Sequence, residues 1–247
     1  MKTAAIEFHH LTKEFELWHD RPYSIKSIVA QLSTFNFKFG RREKLRILEN
    51  IDLTVYKGDF VGIMGRNGVG KSTLLRLISN IYRPTSGSVV THGRLIPLLE
   101  LGAGFAAELT GYENIFLNAS ILGFSKKEAE LKAQAIVDFS ELKEKINQPV
   151  RAYSSGMLVR LGFSIAAHFN ADLLLFDEIL AVGDVGFQEK CLQKIHELHA
   201  SGKTIVLVTH DPQQVAKYCN RCIVIEKQGV VFDGAPSEGI GVYSRMF

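Results

Sequence analysis

The stretch Gly65-Arg66-Asn67-Gly68-Val69-Gly70-Lys71-Ser72 decides how the rest of the chain is read. It lies between an apolar run of strand character, Phe60-Val61-Gly62-Ile63-Met64, and the helical pattern Thr73-Leu74-Leu75-Arg76-Leu77-Ile78. A G-x-x-x-x-G-K-S pattern in that strand-to-helix setting describes a loop that wraps phosphate. Glycines let the backbone curl with its N–H groups pointing inward, at angles a side chain disfavours. A helix opening near Gly70 adds its positive dipole end at the same spot. Lys71 is then placed to meet β- and γ-phosphates, and the Ser72 hydroxyl to take a Mg²⁺ coordination position.

Two later strands carry matching chemistry. Asp172-Leu173-Leu174-Leu175-Phe176 is a continuous apolar run, as in a central parallel strand covered on both faces, and it ends in Asp177-Glu178. Thr204-Ile205-Val206-Leu207-Val208-Thr209 is a second such run and ends in His210. Open α/β sheets bind ligands at the carboxyl ends of their strands. Asp177 is the expected partner of Mg²⁺, directly or through water. Glu178 is placed to polarise an attacking water, and His210 to hold the γ-phosphate or that water.

With 247 residues the chain suits one large domain or a core with a small appendage. Apolar residues at 46% supply a core, and charged residues at 22% are ordinary for a globular protein. A net charge of +3 is too slight to indicate nucleic acid by itself, although basic residues gather at 38–46. No run reaches about 18 consecutive apolar residues, and the first residues lack the apolar core of a secretion signal. These features and the nucleotide site place the protein in the cytoplasm, with the inner membrane face left open. Cys191, Cys219 and Cys222 include one C-x-x-C without a second pair, so they read as reduced core thiols.

Residues 4–8 read as a first strand and 47–55 as another, with Lys57-Gly58-Asp59 turning into the strand before the phosphate loop. Between them, residues 16–46 resist assignment. Ile25, Ile28, Val29 and Leu32 form one apolar helical stripe, Phe35, Phe37 and Phe39 alternate, and Lys38, Arg41, Arg42, Lys44 and Arg46 are basic. Such a segment either lies on an anionic membrane surface or membrane partner, or packs on its own domain. From Thr110 to about residue 167 the pattern is mainly helical, with Ser125-Lys126-Lys127-Glu128 a capping box, suggesting a subdomain inserted into an α/β core. The tail reads as a hairpin followed by a short helix.

Tyr153-Ser154-Ser155-Gly156-Met157 opens a predicted helix with small residues that offer N–H groups and a hydroxyl to an anion. With this string, the chain resembles the ABC-transporter ATPases over nearly its whole length. Tyr153 to Met157 is similar to the family's signature motif, and Leu180-Ala181-Val182-Gly183-Asp184 to its D-loop. Leu98 to Phe105, Glu108 to Ile115, and Ala181 to Val185 resemble the ATP-binding subunits of bacterial polysaccharide exporters for O-antigen, capsule or teichoic acid. Tyr153, Ser155 and Met157 replace the general family's Leu, Gly and Gln, which suits that subfamily.

The resemblance implies a P-loop NTPase (RecA-like) α/β core with a helical subdomain at about 100–168, an antiparallel β subdomain, and a subfamily insertion at about 16–46. It implies a head-to-tail homodimer with ATP and Mg²⁺ held between one copy's Gly65 to Thr73 and the other's Ser154, Ser155 and Gly156, with Asp184 nearby. Glu100 stands where the family has a glutamine and is assigned to the metal beside Ser72 and Asp177. An aromatic should stack on adenine, and Phe15 is preferred over Trp18 or Tyr23. A transmembrane permease subunit, a lipid-linked polysaccharide as transported substrate, and a peripheral position at the cytoplasmic face of the inner membrane follow from the same resemblance. The chain stops soon after the family core, so no C-terminal carbohydrate-binding domain is expected. The competing expectations are another class of ABC transporter, or a soluble ABC ATPase that binds nucleic acid through residues 38–46. No nucleic acid is expected under the exporter reading.

Overall fold

The computed structural model describes residues 2–18, 42–99, 102, 104–177 and 184–247. The stripe from Ile25 to Leu32, the aromatics of 35–39, Tyr23, Glu100 and Glu178 lie outside those residues. The chain runs through β1 (Ala4–Trp18), β2 (Arg42–Tyr56), β3 (Phe60–Gly65), α1 (Lys71–Ile78), β4 (Ser86–Thr91) and β5 (Leu95–Leu98). Helices α2 (Gly111–Ile121), α3 (Lys126–Ser140) and α4 (Ser155–His168) follow, and then β6 (Leu173–Asp177), α5 (Val185–Ala200) and β7 (Thr204–Val208). It ends with α6 (Pro212–Tyr218), β8 (Arg221–Glu226), β9 (Gly229–Gly234) and α7 (Pro236–Ser244).

One sheet has six strands in the order β5-β6-β7-β3-β8-β9, parallel except for the terminal β8–β9 hairpin. Its inner strands are apolar at successive positions because both faces are covered. Period-2 alternation divides them between two cores. Phe60, Met64, Leu174, Phe176, Ile205, Leu207 and Val224 join the helices on one side. Val61, Ile63, Leu173, Leu175, Val206, Val208, Ile223 and Ile225 join β1, β2 and α1 on the other. The second sheet, β2-β1-β4, is antiparallel and roofs the phosphate-loop side.

The helical block is held by paired capping boxes. Ser125 and Glu128 cap α3 as the sequence predicts, and Thr110 with Glu113 does the same for α2. The Ser125 backbone N–H, then the Arg94 guanidinium, hold the Glu128 carboxyl down at about 2. These contacts tie the block's second helix to the turn before β5.

Both ends of the segment expected as an insertion, about 16–46, lie in strands. Residues 16–18 and 42–46 are paired strand, in the register Glu14↔Arg46, Phe15↔Leu45, Glu16↔Lys44 and Trp18↔Arg42. The segment joining these strands therefore leaves from the end of a β-ribbon. Register also sets the described basic residues of this run beside acidic partners. Arg46 meets Glu14 at 2.9 Å and also pairs with Glu49; Lys44 meets Glu14 at 3.7 Å and Arg42 meets Glu16 at 4.0 Å. Such exposed pairs add little stability, but they cancel the local charge that phosphate backbones would need.

Cys191, Cys219 and Cys222 are free, buried thiols. Burial pushes them up to about 12, 12 and 11 respectively. Among the described residues, no helix is long and apolar enough to cross a membrane.

Candidate active site

Parallel registry brings the chemistry to one edge. Ile63, Val208 and Asp177 lie in one row across β3, β7 and β6, so the phosphate loop, Asp177 and His210 all emerge from the same end of the sheet. The loop passes from β3 to α1 with Gly68 and Gly70 at φ of +80° and +108°, left-handed conformations that favour glycine. A Cβ on Gly70 would sit 2.8 Å from Ile47 Cγ2 and 2.9 Å from Leu48 Cδ2. The roof strand β2 therefore presses on the loop, and only glycine leaves room for it.

Lys71 is buried, and its ammonium donates to the Gly65 carbonyl at 2.7 Å and the Arg66 carbonyl at 3.1 Å. This folds the cation back along the loop that would carry the phosphates. Beside it is a cavity of about 570 Å³ lined by Phe15, Ile47, Asn67, Gly68, Gly70, Lys71, Ser72, Thr73 and Asp177. Phe15 and Ile47 form its apolar wall, and Phe15 is braced edge-on by Tyr82 with ring centroids 5.4 Å apart. Trp18 lies farther along the ribbon, opposite Arg42. The donor set fits a triphosphate with Mg²⁺: an ammonium at a helix start for the phosphates, and a hydroxyl and a carboxylate as hard oxygen ligands.

Other expected residues are placed elsewhere. Arg66 and Val69 line a neighbouring cavity that shares Ile47, Asn67 and Gly68 with the first, and the Arg66 guanidinium stands 5.0 Å from the centre of the Phe247 ring. His210 is exposed just beyond β7.

The anion-facing turn at Ser154 opens into a separate cavity of about 540 Å³, lined by Ser154, Ser155, Gly156, Met157, Val159, Arg160 and Asp184. Ser154 is the N-cap of α4, its hydroxyl accepting from Met157 N–H at 3.3 Å. Tyr153 anchors the turn: its ring is buried and its hydroxyl donates to the Lys145 carbonyl at 2.9 Å. Asp184 has partners for both oxygens. Oδ1 accepts from Phe187 N–H at 3.0 Å, capping α5, and Oδ2 accepts from Arg160. Arg160 also donates to Glu141 at 2.6 Å and lies 4.7 Å over the Phe187 ring, so it clamps α4 to α5 and to the end of α3. The Phe187 N–H and then Arg160 hold the Asp184 carboxyl below its usual range.

Sequence reasoning missed Ile47 and Arg160. Ile47 read as one more strand residue, and Arg160 as one polar position of a helix, because neither sits in a pattern that names its partner.

Comparison with known proteins agrees with this geometry. The family model described as ABC transporter matches residues 48–181. The O-antigen export system ATP-binding protein RfbB of Klebsiella pneumoniae is 44% identical over 240 residues, covering 97% of each chain. The teichoic acids export ATP-binding protein TagH of Staphylococcus epidermidis is 38% identical over 224 residues, covering 91% of this chain and 82% of that one. A dimeric ATP-binding cassette solved in a post-hydrolysis state with ADP and Pi shares the fold at a TM-score of 0.72 and 23% identity, over 94% of this chain and 98% of that one. From the phosphate loop through the signature turn to the carboxylate-bearing strand, the chain belongs to the ABC transporter family, as one of its ATP-binding, ATP-hydrolysing subunits.

Proposed function

We propose that the protein powers export of a lipid-linked polysaccharide, an O-antigen or related glycan, as a homodimer bound to a separate transmembrane permease at the cytoplasmic face of the membrane. The observation that carries the mechanism is the division of the two phosphate-facing surfaces between different cavities of one chain. One copy holds the nucleotide on Gly65 to Thr73, with Phe15 and Ile47 against the base, and Ser154 to Gly156 of a second copy cap the phosphates. Closing the pair excludes water and completes the reaction centre.

Lys71 and the loop N–H groups bind the β- and γ-phosphates, Ser72 and Asp177 hold Mg²⁺, Glu178 orients the attacking water, and His210 steadies the γ-phosphate or that water. When bound, Mg²⁺ neutralises charge that develops on the phosphate oxygens. Asp184 acts from the partner side of the sandwich by holding the signature helix through Arg160. Glu100 is assigned to the metal or its water.

The transported class rests on the end-to-end match to the O-antigen exporter subunit and on the teichoic acid relative. An apolar groove of about 490 Å³ between α1, β5 and the helical block, lined by Ile81, Tyr82, Leu98, Ile121, Leu122 and Ile165, suits a short amphipathic segment of the permease. A segment seated there would feel movement of either side. The paired charges of Arg42, Lys44 and Arg46 speak against nucleic acid as the partner.

The test uses two variants. Glu178→Gln should keep ATP binding, accumulate an ATP-bound dimer by light scattering, and lose roughly 10²- to 10⁴-fold in turnover. Lys71→Ala should weaken ATP binding itself. In the source bacterium, deletion of the gene should strip the surface glycan, and neither variant should restore it. Wild-type turnover by Glu178→Gln would remove its assigned role, and an unchanged cell surface after deletion would overturn the export assignment.

A further inference from the structure

His210 stands on the short turn that joins β7 to α6, and its predecessor does more than end a strand. Thr209 is 2% exposed. Its N–H donates to the Ile63 carbonyl at 3.2 Å, on the strand that enters the phosphate loop. Its hydroxyl accepts from Asp211 N–H at 3.1 Å, closing the turn around His210, and donates to Gln214 Oε1 at 3.2 Å on α6. A hydroxyl has one hydrogen and two lone pairs, so both bonds are made without conflict. Asp211 in turn caps α6, its carboxylate accepting from Gln213 N–H at 2.8 Å. The backbone on either side of His210 is therefore held to β3 in one direction and to α6 in the other.

We propose that Thr209 is a positioning residue for ATP hydrolysis: its buried hydroxyl sets the orientation from which His210 reaches the γ-phosphate. The assignment rests on the role of His210 given above. An exposed side chain on an unbraced turn would sample many orientations, and small misplacements of a catalytic group are costly in rate.

Thr209→Val keeps the shape of the side chain and removes both hydroxyl bonds. In steady-state ATPase assays of the full chain it should lower kcat roughly tenfold or more while leaving the KM for ATP within about twofold. Thr209→Ser, which restores the hydroxyl, should stay within about twofold of wild type. Gln214→Ala breaks only the α6 contact and should show a smaller loss in kcat at unchanged KM; it carries the test if Thr209→Val does not fold. A purely structural role would reduce the folded fraction and melting temperature with kcat per folded site unchanged, and would overturn the proposal. His210→Ala separates the two readings. If it is impaired while Thr209→Val and Gln214→Ala keep wild-type kcat, the positioning role fails alone. If His210→Ala itself turns over normally, the assignment of His210 fails.

Discussion

Replacing Gly111 with alanine tests how the signature turn is held. Gly111 is the first residue of α2, and a Cβ there would lie 2.1 Å from the Tyr153 hydroxyl oxygen, 3.0 Å from its Cζ and 3.0 Å from Ile146 Cδ1. Gly111 is not among the residues with positive φ, so space and not backbone strain decides the outcome. Overpacking a buried site costs about 1–3 kcal/mol, and displacing the phenol from the Lys145 carbonyl forfeits about 1 kcal/mol more. A gain of at most about 1 kcal/mol from helix propensity offsets part of this. The net expectation is a loss of about 1–4 kcal/mol, or roughly 2–16 °C in Tm for a chain of this size.

Tyr153→Phe alone should cost about 1 kcal/mol through the lost hydrogen bond. It also removes the oxygen that the new methyl group of Gly111→Ala would strike, so the double variant should be more stable than the sum of the singles predicts, by about 1 kcal/mol or more. Urea unfolding with linear extrapolation measures all four proteins. Strict additivity, or a Gly111→Ala protein as stable as wild type, would refute the packing argument. Tyr153→Leu removes the ring and hydroxyl that the new Cβ would meet, so it should relieve most of the cost of Gly111→Ala and leave only the 3.0 Å approach to Ile146 Cδ1.

Two further expectations follow from titratable groups. With their pKa values raised to about 12, 12 and 11, Cys191, Cys219 and Cys222 should resist a thiol reagent at pH 8 in the native protein, and all of them should label in denaturant. Burial, then nearby Lys194, Lys132 and Lys190, hold the His168 imidazole below its ordinary value, against the opposing pull of the Ser164 carbonyl. The unfolded chain then binds that proton more readily, so this contribution to stability is full above about pH 6.5 and falls as pH drops toward the folded value. Urea melts between pH 7.5 and 5.5 should show the loss, and His168→Gln should flatten it.

The phosphate loop, the acidic strand end, the histidine strand end and the α3 capping box were all legible in the sequence, because each is a local pattern whose physical meaning depends on a few neighbouring residues. The second capping box, Thr110 with Glu113, was equally local and lay unread inside a family string. The strand character of Glu16 to Trp18 and Arg42 to Arg46 was not legible, because these residues become strand only by pairing with each other. For the same reason the sequence did not show that Arg42, Lys44 and Arg46 meet counter-ions on the opposite strand.

By itself, then, the sequence determined which groups are available for phosphate chemistry and which strands and helices carry them, since periodicity and motif spacing act over a handful of residues. Tertiary structure alone decided the strand order of the sheet, the press of Ile47 and Leu48 on Gly70, the position of Phe15 at the nucleotide cavity, the clamp of Arg160 on Asp184, and the hydroxyl that braces His210. Most of these are contacts between residues far apart in the chain, and the brace on His210, though local, depends on where β7 meets α6. Their geometry depends on how whole elements pack, and local pattern carries no record of that.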